Sequence, residues 1–237
     1  MTTAARDAAR HWNVPRPASP AAVEYAWAAV LIGGPGLVLG VAAGWLIAPA
    51  AGVAVALAYG LAVALWMGMQ GRRVLRKLGA RPLEKSEAPR VVNLARGLAR
   101  DIGIGEPTLW LIDDPEANAL VCRAGGNALA VTQGLLERFT RTELEAVLAH
   151  CMLRLAGGDL TRAALASALG GLAGPLAPHR DLAEDSSAAA LTRYPPALAS
   201  AIGKCKARDT GWGAYWFVPL GTRFPSAAKR IQALTDL

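Results

Sequence analysis

Groups able to do chemistry are sparse in this chain. Its 237 residues hold three His (His11, His150, His179) and three Cys (Cys122, Cys151, Cys205). No C-x-x-C pair is present, which excludes a zinc module built on cysteines. The odd number of thiols points to a reducing compartment. The densest candidate is His150-Cys151-Met152-Leu153-Arg154, in a run with helical periodicity. A thiol beside an imidazole suggests a nucleophile and its base. That chemistry needs mutual hydrogen bonding and an orienting third group, whereas successive helical residues point about 100° apart. Cys151 is therefore expected to be a small buried thiol. Arg154 lies four residues on and shares the His150 face. Its guanidinium has five donors and no acceptor. Arg180–Asp185 (RDLAED) follows downstream with Asp181 and Asp185.

The elements around these residues read as α+β. Thr142 opens a strong helix, with a capping box from Thr142 to Glu145. Leu144, Val147, Leu148, Met152 and Leu155 form its apolar face, and Gly157-Gly158 ends it. Upstream, Ala88–Ile102 has helical spacing, with Pro89 in the first turn and Gly103 beyond the last. Thr108–Ile112, Ala119–Cys122 and Ala128–Thr132 read as short strands, the last two joined by a hairpin at Gly125-Gly126-Asn127. Leu160–Pro178 is Ala-rich and is expected to be a packed or membrane-grazing helical segment. A last helix is expected over about Pro225–Thr235.

Charge is distributed very unevenly. Residues 25–71 carry none. Residues 72–100 carry nine basic and two acidic groups, and residues 101–237 carry thirteen basic and fourteen acidic groups. The net charge of +7 thus sits just after a 47-residue uncharged run. Such a run excludes a purely water-soluble fold and is too long for a signal peptide. It fits two membrane crossings of about 20 residues each, Tyr25–Ala48 and Ala51–Met69, turning at Pro49, Ala50 and Gly52. Tyr25, Trp27, Trp45 and Trp66 are placed as interfacial aromatics. Gly33, Gly34, Gly36, Gly40 and Gly44 would let the two helices approach closely. Basic residues flank both ends (Arg6, Arg10 and Arg16 before, Arg72, Arg73, Arg76, Lys77 and Arg81 after), so both ends are expected in the cytoplasm. The expected organisation is a leader over 1–23, a transmembrane hairpin over 24–70 and a cytosolic domain over 71–237. The basic stretch lacks interleaved aromatics, which argues against nucleic acid and for anionic headgroups.

The order of features from about Ala22 onward resembles the HtpX-like family of integral-membrane zinc metallopeptidases, relatives of the CAAX prenyl endopeptidases. A two-span hairpin runs into Gly79-Ala80-Arg81-Pro82-Leu83 and then Glu87-Ala88-Pro89. Glu106-Pro107-Thr108 and Asn118-Ala119 resemble the family's "P-x-[VIL]…N-A" segment. Ala130–Leu136 (AVTQGLL) resembles its "VTxGLL" step, and Thr142–His150 (TELEAVLAH) its approach to the zinc helix. RDLAED resembles "R-E-x-x-A-D", and Phe224–Leu234 (FPSAAKRIQAL) resembles "HPPxxxRIxxL". The resemblance implies an N-terminal two-helix transmembrane hairpin followed by a mostly helical, zincin-like (gluzincin-type) domain with a small β-sheet.

The departures fall on the chemistry. The family motif H-E-x-x-H sets two zinc-binding His on one helix face, with Glu activating the bound water. A Glu on a later helix is the third ligand. Here His150 remains, Cys151 holds the base position and Arg154 the second-ligand position. Asp181 holds the third-ligand position, and Phe224 replaces the closing His. The residual donors, His150 and Asp181, fall short of the three that a catalytic zinc needs. Loss of the base alone costs roughly 10²–10⁴ in rate. No zinc or other cofactor is therefore expected. Arg154 is expected either to replace the cation by pairing with Asp181 or to point to solvent. The resemblance also implies a peptide-binding edge at Ala128, Leu129, Ala130, Val131 and Thr132, because substrate adds there as a strand. Trp212–Phe217 (WGAYWF) is a second candidate contact surface or a core segment.

The function expected is that of a catalytically inactive membrane pseudopeptidase, binding or scaffolding membrane proteins or a peptide segment in the cell membrane. An active membrane-bound zinc metalloendopeptidase in protein quality control and a structural subunit of a membrane complex are the alternatives.

Overall fold

The computed structural model describes residues 22–157, 160, 163–164, 180–208, 212–221 and 224–237, with side chains from Val30 on and excepting those of Arg180 and Asp181. The described part opens with two packed helices, α1 (Ala22–Leu46) and α2 (Pro49–Lys77). Pro49 is the first helical residue of α2, where its missing N–H costs nothing. The turn is therefore Ile47-Ala48, and Gly52 lies inside the helix rather than in the turn. Gly52 is instead a contact point. A Cβ there would stand 2.6 Å from the Gly40 carbonyl oxygen, closer than any side chain tolerates. Gly36 faces the Tyr59 ring, whose hydroxyl donates to the Ile32 carbonyl at 2.8 Å. Gly44 also meets Gly52. Gly33 and Gly34 face open space and take no part. Tyr25 and Trp27 fall among the side chains that are not described.

Among the described residues, one helix, Pro49–Lys77, is long and apolar enough to cross a membrane. The side chains of its apolar half are largely exposed, as are Leu37, Val38, Val41 and Trp45 of α1. This helix runs without a break past the domain boundary expected at 70–71. Its last turns pack onto a sheet, where Gly71 touches the backbone of Arg123 so closely that any Cβ would overlap the Arg123 carbonyl.

Beyond α2, β1 (Arg81–Pro82) leads to α3 (Pro89–Ile102), β2 (Thr108–Ile112), β3 (Ala119–Arg123) and β4 (Asn127–Thr132). Helix α3 begins and ends within a residue of its expected bounds. Pro89 sits at its first position and Gly103 takes a left-handed φ of 79° beyond its last, the conformation that favours Gly there. Gly125, with φ 92°, makes the β3–β4 hairpin turn. The sheet order is β1-β2-β4-β3, with β2 and β4 parallel and the other pairs antiparallel.

Short α4 (Gln133–Arg138) leads into α5 (Arg141–Ala156). The capping box that opens α5 is Thr140 with Glu143, two residues before the expected pair. It is reinforced by buried Phe139 just outside the helix and buried Leu144 at its fourth position, the placement of a hydrophobic staple. Helix α5 is the centre of the domain. Its residues from Ala146 to Leu155 are all buried, so no single face is apolar and solvent-averse. Around it pack α3, α6 (Arg180–Thr192), α7 (Pro195–Lys204) and, through α6 and α7, α8 (Ala227–Thr235). Tyr215, Trp216 and Phe217 are core residues, while Trp212 is half-buried. The Leu160–Pro178 expectation lies outside the described residues, except that Leu160 and Ala163 are buried.

Candidate functional site

The site is built where α5, α6, α8 and the segment 214–218 meet. Helix α5 contributes His150 and Arg154 from one face, as i, i+4 spacing requires. Helix α6 contributes Glu184 and Asp185, and α8 contributes Arg230. All five are at least 97% buried.

Two ion pairs organise the cluster. Arg230 grips Asp185 through two hydrogen bonds, Nε to Oδ2 at 2.6 Å and Nη2 to Oδ1 at 2.7 Å. Its remaining arm donates to the Phe217 carbonyl at 2.6 Å. Asp185 Oδ1 also lies 2.9 Å from His150 Nδ1. Arg154 donates from Nη1 to the Trp216 carbonyl at 3.0 Å and from Nη2 to the Ala214 carbonyl. Its Nε lies 3.5 Å from Glu184 Oε2, and that same oxygen is 3.8 Å from His150 Nε2. The Phe217 ring meets the His150 ring edge-on at 4.9 Å between centroids.

Burial drives the electrostatics. It lowers the His150 pKa; Asp185 opposes this, and the charges of Arg230 and Arg154 reinforce it. The imidazole is therefore neutral at physiological pH. Burial alone would raise Asp185, but the hydrogen bonds and charge of Arg230, with help from His150, bring it below the ordinary carboxylate range. The thiol of Cys151 is pushed up to about 12 by burial. It is a packed thiol with no nucleophilic character at neutral pH.

Zinc does not fit the described residues. Among the described side chains two guanidiniums face two carboxylates, so a divalent cation there would sit in a buried space next to the charge of Arg154. Arg154 cannot ligate, and its Nε stands beside the carboxylate that faces His150 Nε2. No group of three or more His, Cys, Asp or Glu side chains is poised to hold a metal among the described residues. The expected partner of Arg154, Asp181, has a side chain outside those described. Among the described side chains, the carboxylate beside Arg154 is Glu184, one helical turn further along α6. The alternative of a solvent-facing Arg154 is overturned, since the residue is 3% exposed.

Sequence reasoning missed Glu184 and Arg230. For Glu184 the signal was present. RDLAED departs from R-E-x-x-A-D at its fifth place, where Glu184 replaces Ala. That exchange of an apolar residue for an acid complements the exchange of His for Arg at 154.

The expected peptide-binding edge at Ala128–Thr132 is corrected by the sheet order. Strand β4 is interior, hydrogen-bonded to β2 on one side and β3 on the other. The outer side of β3 is occupied by the chain itself. Leu120 bridges Trp216 in antiparallel fashion, and the Phe217 N–H donates to the Ala119 carbonyl at 2.8 Å. Asn118 extends the seal, donating from Nδ2 to the carbonyls of Lys206 and Val218. The same short segment thus satisfies the β3 edge with one set of backbone groups and Arg154 and Arg230 with another.

Known proteins resemble this chain along much of its length. An HtpX protease homologue of Dictyoglomus turgidum is 29% identical over 177 residues, an alignment covering 55% of this chain and 58% of the relative. HtpX protease of Alkalilimnicola ehrlichii is 40% identical over 90 residues, covering 36% of this chain and 30% of the relative. This chain therefore spans under two thirds of the length of these relatives. The crystal structure of Ste24p from S. mikatae aligns with 90% of this chain and 64% of its own, at 17% identity and a TM-score of 0.48. Residues 85–204, about half of the chain and nearly all of the sheet with the helices that carry His150, Glu184 and Asp185, match the profile of peptidase family M48: the chain belongs to that family.

Proposed function

We propose that this protein is a zinc-free, non-catalytic member of peptidase family M48 that serves as a membrane-attached binding or scaffolding subunit. The observation that carries this reading is the Arg154–Glu184 pair. A permanent cation, fixed by two backbone carbonyls, stands on the His150 face where the family motif puts a second histidine. The Cys151 thiol has no acid–base capacity near neutral pH, so the water-activating function of that position is also gone. Membrane attachment is supported by the apolar helix α2 and by the exposed apolar side chains of both hairpin helices. We read the hairpin as two crossings, with the basic end of α2 and the domain in the cytoplasm. The covered β3 edge disfavours capture of an extended peptide by strand addition and favours partners that dock on the hairpin or its basic end.

The decisive experiment is metal analysis of the full chain purified from membranes, beside a His150→Ala variant. The expected result is far less than one zinc per chain in both, with no cleavage of an unfolded protein substrate and no change in melting temperature on adding a chelator. Stoichiometric zinc that disappears with His150 would overturn the proposal.

A further inference from the structure

A cavity of about 630 Å³ lies beside the last turns of α2, lined by Trp66, Gln70, Arg73, Arg76, Lys77 and Trp212. Its size is that of an ordinary small-molecule site. Trp66, Gln70, Arg73 and Lys77 follow one another at helical spacing and so form one stripe of α2. Arg76 flanks that stripe. The indole of Trp212 closes the far side, with Lys77 Nζ 5.2 Å from its ring centroid. Trp66 and Lys77 are separated by about 16 Å along the helix. The stripe therefore grades from an aromatic within the apolar run to three cations just beyond it.

Three like charges at i, i+3 and i+4 repel one another. Among the described residues, none of the three has a carboxylate within ion-pairing distance and no acidic side chain lines the cavity. Gln70, 7% exposed, lines the same cavity and makes no hydrogen bond within the described residues. Three cations with no counter-charge among the described residues, the Gln70 amide and two indoles share one concave space. That combination suits a phosphate-bearing anion with an apolar body attached.

We propose that this cavity is a binding site for the phosphate headgroup of an anionic phospholipid. The three basic side chains would hold the phosphate oxygens, Gln70 would hydrogen-bond the ester region, and Trp66 would lie against the acyl chains. The location at the end of the apolar run favours a lipid over a soluble phosphate. The inference rests on the membrane attachment proposed above, which carbonate extraction of membranes tests separately.

The test is native mass spectrometry of the full chain in detergent, with equal amounts of phosphatidylglycerol and phosphatidylcholine. The expected result is selective retention of phosphatidylglycerol. Arg73→Gln, Arg76→Gln and Lys77→Gln combined should weaken it by about fivefold per charge, on the order of a hundredfold in all. A charge-matched control, Lys85→Gln, Arg90→Gln and Arg100→Gln, should leave it intact. Equal binding of the two lipids, or an equal loss in the control, would overturn the site. Displacement of the lipid by excess inorganic phosphate would overturn the lipid assignment in favour of a soluble phosphate ligand. If the triple variant fails to fold, as its melting curve would show, Arg76→Gln alone tests the same point at an exposed position.

Discussion

If Arg154 holds the centre of the domain together, its removal should be costly in a way that depends on Glu184. Arg154→Ala would leave two backbone carbonyls, of Ala214 and Trp216, without their donors. It would also remove the guanidinium that stands 3.5 Å from the buried Glu184 carboxylate. Each orphaned buried polar group costs about 1–3 kcal/mol, and breaking a buried pair from one side costs about 3–5 kcal/mol in all. For a chain of this size that corresponds to a fall in melting temperature of roughly 6–20 °C. Glu184→Ala should also be costly, because it removes a carboxylate that offsets the buried guanidinium charge. The double variant, Arg154→Met with Glu184→Leu, removes both charges and should be less destabilised than the sum of the single changes by about 2 kcal/mol or more. Intrinsic fluorescence during thermal unfolding of the four proteins completes the cycle. Additive effects, or single changes that shift the transition by less than about 2 °C, would refute the idea that the pair occupies the centre as a unit.

Other outcomes follow from other places in the fold. Glu143 caps α5 and accepts bonds from Ser200 and Lys204; against the raising effect of burial, these bonds lower its pKa from 4.5 to about 2. Its folded value lies below its unfolded value, so its contribution is complete above about pH 4.5 and is lost as pH falls toward 2. Glu143→Gln should remove about 3 kcal/mol at neutral pH and flatten the acid limb of a stability-against-pH profile, leaving the slope due to Asp185. Gly71→Ala should force α2 off β3 and expose the junction to proteolysis, whereas Gly68→Ala, with nothing within 4 Å of a new Cβ, should not. Alkylation at pH 8 should spare Cys122 and Cys151, whose pKa values are both about 12, until the protein is unfolded; at that pH the thiolate is about one part in ten thousand.

Local structure was legible where one short-range rule decided it. Pro89 and Gly103 bracket α3, and Gly125 marks the hairpin, because each answers a local backbone demand. Where a local pattern was degenerate, it misplaced the feature. The run Thr140-Arg141-Thr142-Glu143-Leu144-Glu145 contains the T-x-x-E signature twice. Only the buried pair Phe139 and Leu144 distinguishes the true cap, and burial is a tertiary fact. The position of β4 was not legible for a related reason. Its parallel pairing with β2 inserts it between strands that precede it in the chain, and no local signal specifies such an insertion. At the site, the loss of the zinc motif was plain from the residues at 150, 151 and 154. What faces Arg154 was not, since it required knowing that Glu184 lies beside it and that the carbonyls of 214 and 216 turn inward.

The Arg154–Glu184 pair also constrains where this sequence can go next. Replacing Arg154 with histidine would remove the cation beside Glu184 and free two carbonyls, while removing Glu184 alone would take a counter-charge from Arg154. Each single step away from the pair passes through a less stable protein. The pair therefore acts as a ratchet. With both residues in place, stability itself favours keeping them together, and on the reading proposed above selection is left to act on the surfaces around the fold.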